Sequence, residues 1–390
     1  MNNLNFLVNV LKESPVFKTL EKNVKPGRTV CASGLSTINK SNIIYALCRL
    51  KGVTAFCLAS DEKEAQTLCN DLSCMGLRAY VYPVRDFNFL DFQSRSHEYE
   101  HARLKVLLKL LNHECDVAIA CVDAAAQLTV PRNVLEQSVI EFEEGRELSL
   151  EKATKALTLL GYERFDAVEG SGQFSLRGGI LDFFMPDSDY PVRCEFWGDE
   201  ITDLSYFDIE TQRRFKKADK ITLSPSTEIV IEDRAALADK IEHKAKLLRS
   251  KNSTKAKEKL FSEAELIRSG AMIANADKFI NQIYDKPESL FDYLDRNTLV
   301  FASEFTAIQE RESQWTLSAM KPLCKALRTE LFAEALTALR SHSTNVPSFC
   351  KVTEQSCLKT LFTEVCLSSC RKSSAFQQNS SRHGAVRINS

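Results

Sequence analysis

Between residues 25 and 136, short apolar runs alternate with stretches of helical period. Thr29 to Ala32 predicts a strand, and Ser41 to Leu50 a helix with Ile43, Ile44, Ala46 and Leu47 on one side. Val53 to Leu58 predicts a second strand and Asp61 to Met75 an amphipathic helix; Arg78 to Tyr82 and Val117 to Val122 predict further strands. Strands that alternate with helices of this length predict a parallel sheet covered on both faces.

From residue 139 to 224 the pattern changes to strands around one helix. That helix, Ser149 to Leu160, has Ser149 as N-cap and Ala153, Ala156, Leu157 and Leu160 on one face, with Gly161 at its end. Strands are predicted at 173–185, 190–198 and 200–208, separated by turn-forming PDSD and GDE, which makes a compact α+β unit. In 191-PVRCEFW-197, Val192, Cys194 and Phe196 fall on one side of the strand and Arg193, Glu195 and Trp197 on the other. Phe174 and Leu176 alternate with Ser175 and Arg177 in the same way. Arg and aromatic residues on an outer sheet face have the composition of a protein-binding hot spot. The same alternation is equally met by a Trp under a covering helix, with the Arg residues in surface ion pairs. Residues 226 to 270 then predict long helices broken at Asn252-Ser253, and 277 to 305 helices leading into a final strand. The last fifty residues are cysteine-bearing and end polar and basic, which predicts a disordered tail over 341–390.

Composition narrows the classes. The chain has 390 residues, 44% of them apolar and 26% charged, which is ordinary for a soluble globular protein of two or three domains. A net charge of −1 supplies no overall field for nucleic acid, so any such contact would be local. The 13 cysteines are odd in number, form no C-x-x-C pair and sit mostly in apolar runs, which predicts free thiols in a reducing cytoplasm. No basic leader or long apolar stretch opens the chain, so a membrane partner is not expected.

Two motifs carry candidate chemistry. In 34-GLSTINKS-41, Gly34, Lys40 and Ser41 have the spacing of a phosphate-binding loop, but Asn39 replaces its second glycine. Asn tolerates a left-handed backbone, so a loop could still form, though its side chain would occupy space near the phosphates. Hydrolysis also needs a carboxylate on Mg²⁺. Asp123 reads as a helix N-cap, and in 299-LVFASEF-305 the residue before Glu304 is Ser303, a poor metal ligand. The loop is therefore expected to be vestigial: no catalytic residue, no cofactor. The run 97-HEYEH-101 matches the H-E-x-x-H zinc pattern, but no third ligand stands out among the six His, and a polar helix start is expected instead of a metal site.

The run 173-QFSLRGGILDFFMPDSDYPVRCEFWGDEITDLSYFDIETQRR-214 closely resembles the UvrA-interacting domain shared by bacterial UvrB and by the transcription-repair coupling factors. The degenerate loop and 85-RDFNFLDFQSRSHEYEHARL-104 resemble the same family. UvrB-like proteins have an aromatic-rich hairpin after this stretch. Here the chain runs directly into a helix, which, with Asn39 and Ser303, favours the coupling factors. The resemblance covers roughly residues 1–340 and is strongest from 137 to 225.

The fold it implies is α/β: a RecA-like domain with a degenerate phosphate loop, split by an inserted α+β UvrA-interaction domain. The expected division is 1–136, the insert at 137–225, a return to the first unit at 226–340, and the atypical tail. By resemblance, Arg177, Arg193 and Trp197 occupy the positions that contact UvrA, although the family more often has Phe at the last. The implied function is a non-catalytic recruitment module of nucleotide excision repair. RNA polymerase and DNA would be met only through domains absent from this chain. The competing class is a nucleotide- or DNA-binding ATPase module built on Gly34, Asn39, Lys40 and Ser41.

Overall fold

The computed structural model describes residues 4–25, 30–85, 97–247, 254–270, 276–304, 306–308 and 310–311. The chain starts with two helices that its apolar pattern did not announce, α1 (Leu4–Glu13) and α2 (Pro15–Asn23), the second capped by Ser14 with Pro15 in the first turn. Then come α3 (Thr37–Lys51), β1 (Ala55–Ala59), α4 (Glu62–Cys74), β2 (Ala79–Tyr82), α5 (Glu98–Leu111) and β3 (Val117–Cys121). After them lie the short α6 (Val122–Ala125), β4 (Leu128–Thr129) and α7 (Arg132–Gln137).

β1 and β3 are apolar at every position because both faces of their sheet are covered. Phe56, Leu58, Ala118 and Ala120 point to Leu104, Leu107 and Leu108 of α5, whereas Ala55, Cys57, Val117 and Ile119 point to Leu47 of α3 and Leu68 and Leu72 of α4. Asp61 caps α4 by accepting from the Glu64 backbone N–H at 2.8 Å.

The predicted strand at 29–32 is not formed: Val30 to Ala32 carry no strand pairing, and Thr29 lies outside the described residues. β1 already has a parallel neighbour on each side, so the preceding segment cannot pair with it. α3 also begins at Thr37, four residues before Ser41. Asp123 is not an N-cap; it sits in the first turn of α6, where its carboxylate accepts from Arg311 at 2.9 Å.

The second unit follows: β5 (Ile140–Glu143), α8 (Leu150–Leu159), β6 (Glu163–Arg164), β7 (Gln173–Arg177), β8 (Ile180–Phe183), β9 (Val192–Trp197), β10 (Glu200–Phe207), β11 (Arg214–Lys217) and β12 (Lys220–Leu223). Strands β6 to β11 form one sheet in sequential order, antiparallel except for β6 with β7, and β5 pairs with β12. Ser149 caps α8 as the sequence indicated. The single strand expected over 173–185 is instead a hairpin, because Gly178 turns the chain with φ +63°. At Gly179 a Cβ would lie 2.7 Å from the Phe196 carbonyl oxygen, so the turn packs directly on β9.

The chain then forms α9 (Arg234–Leu247), α10 (Thr254–Ser269), α11 (Ile280–Ile283) and β13 (Glu288–Ser289), which pairs with β4. The expected break at Asn252-Ser253 lies outside the described residues. β14 (Leu299–Ala302) finally returns to the first sheet, parallel to β1, giving the order β14-β1-β3-β2. The tail at 341–390 also lies outside the described residues.

A buried polar joint ties the segment that follows β12 to α5. Arg103, fully buried, donates from Nε to Glu228 at 2.5 Å and from Nη1 to Gln127 and the Pro83 carbonyl at 2.9 Å, over the Tyr82 ring. Glu100 accepts from the Thr227 hydroxyl at 2.7 Å and the Glu228 backbone N–H at 2.8 Å. Charges at this depth are tolerated because each meets an opposite charge or a hydrogen-bonding partner.

Candidate functional site

The outer face of the second sheet is assembled by strand register. Ser175, Asp182, Arg193 and Ser205 stand opposite one another across β7, β8, β9 and β10; Arg177, Ile180 and Glu195 form the adjoining row. The inner face holds Phe174, Leu181, Phe183, Val192, Cys194, Phe196, Ile201 and Leu204 in the core. β9 therefore alternates as its sequence indicates: Val192, Cys194 and Phe196 are buried, and Trp197 is 82% exposed. Among the described residues no element covers the indole, so a Trp under a helix is not seen, whereas the arginines do lie in ion pairs, both with Asp182. The Gly178-Gly179 turn brings the Arg177 end of β7 to the same end of the sheet as Trp197, since Phe196 N–H donates to the Gly179 carbonyl at 2.8 Å.

The two arginines are not equivalent. Arg193 lies largely covered, with its side chain 13% exposed, and donates from Nε and Nη2 to the two oxygens of Asp182 at 2.7 and 2.8 Å. It also donates to the Gln212 carbonyl and side-chain oxygen, both at 3.1 Å, and lies over the Phe207 ring. The Asp182 hydrogen bond raises its guanidinium above the usual value. Arg177 is half exposed and makes one bond to Asp182, 2.7 Å from Nη2. Gln212 reaches Arg193 from a turn in which it adopts φ +57°, a left-handed backbone uncommon for a side chain of this kind. Beyond them, Arg214 is paired with Glu195 and Asp203. Sequence inspection missed Asp182 and Gln212; with 178–179 seen as a hairpin turn, Asp182 falls opposite Ser175 and beside Arg193.

The segment 34–41 is arranged differently. Gly34 has φ 78°, but Asn39 is an exposed residue in the first turn of α3, not part of a loop in left-handed conformation. The Lys40 ammonium donates to Glu304 at 2.7 Å, Ser303 at 2.9 Å and Glu64 at 3.4 Å. Burial would lower its pKa, yet the bond to Glu304 and the charges of Glu64 and Glu304 raise it. The buried Ser41 hydroxyl donates to Asp71 at 2.8 Å. Glu64 in turn accepts from Ser60 and, at 2.5 Å, from the Ser303 hydroxyl; burial acts against its charge, but these bonds and Lys40 hold it below the usual carboxylate range. Glu304 takes φ +49° at this junction. Glu64 and Asp71 carried no sequence signal, since their contacts span long stretches of chain.

In 97–101, His97 bonds to Glu100 at 3.2 Å, while Glu100 is directed to Thr227 and Glu228. His101 presses on Gly172, where a Cβ would meet its ring at 2.7 Å, and burial lowers its pKa. The polar helix start is thus a packing contact between the two units. Among the described residues, no group of three potential metal ligands converges, no helix is long and apolar enough to cross a membrane, and all eight cysteines are unpaired thiols.

The UvrB interaction domain family matches residues 140–229, which include Arg177, Arg193 and Trp197 but not the 34–41 segment. The transcription-repair-coupling factor of Bacillus subtilis is 29% identical over 314 residues, 78% of this chain and 27% of that protein. Those of Staphylococcus epidermidis and Staphylococcus aureus are 26% identical over 61% and 22% identical over 81% of this chain. The chain spans about a quarter of the length of these curated relatives. Residues 140–229 are therefore a UvrB interaction domain, carried by a chain that corresponds to the N-terminal UvrB-homology module of the transcription-repair-coupling factors.

Proposed function

We propose that this chain is a non-catalytic recruitment module of transcription-coupled nucleotide excision repair, and that it binds UvrA through the outer sheet face bearing Arg177, Arg193 and Trp197. The observation that carries this assignment is Trp197, 82% exposed at the end of a strand whose alternate residues are core. An exposed indole beside guanidinium groups supplies apolar area and charge-assisted hydrogen bonds together. The return of β14 to the first sheet supports a RecA-like domain, 1–136 and 226–340, split by an inserted domain at 137–225. Contacts with RNA polymerase and DNA fall, on this assignment, to parts of the longer coupling factors outside this chain, and the site of action is the cytoplasm.

Engagement of Lys40 and Ser41 by Glu64, Ser303, Glu304 and Asp71 supports a vestigial loop over an ATPase module. The test is titration of the fluorescently labelled chain with purified UvrA, with and without ATP. Saturable binding that Trp197→Ala weakens is expected; equal binding by parent and variant refutes the assignment.

A further inference from the structure

Two guanidinium groups on this face share one buried carboxylate. Asp182 is 1% exposed, and its oxygens accept from Arg193 Nε at 2.7 Å, Arg193 Nη2 at 2.8 Å and Arg177 Nη2 at 2.7 Å. A guanidinium has five N–H donors in a fixed plane. Arg193 directs them to Asp182 and Gln212 and lies over Phe207, so little of it remains for a partner. Arg177 gives Asp182 a single nitrogen, and half of its side chain faces solvent. Within the triad one carboxylate serves two guanidiniums, with the Arg214, Glu195 and Asp203 ion pairs adjoining it, and the donors that remain open to solvent lie on the Arg177 side.

We propose that Asp182 is a positioning residue: it fixes Arg193 as an internal brace and aims the free edge of Arg177 at a carboxylate of the partner, beside Trp197. This rests on the UvrA assignment for the identity of the partner. A buried carboxylate restricts Arg177 to few rotamers before binding, which reduces the entropy lost on contact. Simple charge counting gives the opposite expectation. An acidic group within a cationic contact face weakens attraction to a carboxylate, so neutralising it would tighten binding.

The two accounts differ in sign for Asp182→Asn, which keeps the shape and removes the charge. In the free protein, ¹⁵N relaxation of the arginine Nε–Hε groups should report a restrained Arg177 and an exchange-protected Arg193 in the parent, and mobile, unprotected groups in Asp182→Asn. A role confined to overall stability would not mobilise these two side chains selectively. Titration with UvrA should then show at least a tenfold loss of affinity in Asp182→Asn. Unchanged or tighter binding by the folded variant overturns the proposal.

Should Asp182→Asn not fold, lysine variants decide. Arg177→Lys should lose about tenfold in affinity with an unchanged melt, while Arg193→Lys should melt lower. An Arg193→Lys that loses affinity at an unchanged melting temperature makes Arg193 itself the contact and overturns the division. If the parent does not bind UvrA, the partner assignment falls, and the relaxation data alone decide whether Asp182 holds the two arginines.

Discussion

The outer sheet face and the 34–41 segment both place basic residues where a family pattern expects them, yet their availability is opposite. On the sheet face Arg177 is half exposed and Trp197 stands in solvent. At the start of α3, Lys40 is held by three oxygen-bearing side chains and Ser41 is buried against Asp71. Residue type and spacing give the candidate; the partners already made within the chain decide whether it can meet anything else. Within the sheet face the same criterion separates Arg193, which is engaged, from Arg177, which is only anchored.

The largest expected effect separates the two sides of one strand. Phe196→Ala removes a buried ring and should destabilise the domain by about 3–5 kcal/mol. Trp197→Ala, one position along, should change stability by less than about 0.5 kcal/mol, but cost about 2 kcal/mol or more of UvrA binding, roughly thirtyfold. Thermal melts and titrations of the same samples test both. A Trp197→Ala that melts many degrees lower would place the indole in the core.

Arg193→Ala sharpens the contrast within the face. It was expected from sequence to behave like Arg177, but it leaves the buried Asp182 with Arg177 as its remaining charged partner. It should destabilise the domain by about 1–2 kcal/mol. Arg177→Ala should leave the melt nearly unchanged. Equal melts for the two variants would erase the distinction between brace and contact.

Lys40→Ala probes the closed segment. Its side chain is 17% exposed, and Glu304, its nearest partner, is mostly in solvent, so the loss should be about 0.5–1 kcal/mol. Calorimetry with MgATP should show no binding below the millimolar range in either protein. Steady ATP hydrolysis by the parent that disappears in Lys40→Ala would reopen the ATPase alternative.

What was legible in the sequence was local. The apolar runs of β1 and β3, the Ser149 cap and the alternation of β9 depend on neighbours within a few residues, and the fold keeps them all. Of the misses, the hairpin at 178–179 is local, and the others depend on distant chain. Whether 29–32 pairs depends on β14, which reaches the sheet from residue 299 and occupies the place beside β1. The Gly178-Gly179 pair is a turn signal, but inside an apolar run it passed as continuous strand. With the hairpin unread, Asp182 had no visible neighbour. Glu64 meets Ser303 only because α4 and β14 flank the same end of the sheet.

A further expected effect, of similar size to that of Lys40→Ala, is in the pH dependence of the closed segment. Glu64 accepts from Ser60 and Ser303 and faces Lys40, so its folded pKa lies below the ordinary value of 4.5 despite burial. The unfolded chain therefore binds this proton more readily than the folded one. The stabilisation is complete above about pH 4.5 and is lost as the pH falls through that value towards the lower folded pKa. Several other carboxylates, Glu100 and Asp116 among them, are also lowered, so acid melting of the parent alone would not isolate it. The informative quantity is the difference in stability between parent and Glu64→Gln, on the order of 1 kcal/mol near neutrality for a partly buried pair. It should shrink as the pH falls below 4.5, because the protonated carboxyl then resembles the amide. A difference that stays constant from neutrality to pH 3 would mean that Glu64 acts through shape alone, and that Lys40 is not held there by charge.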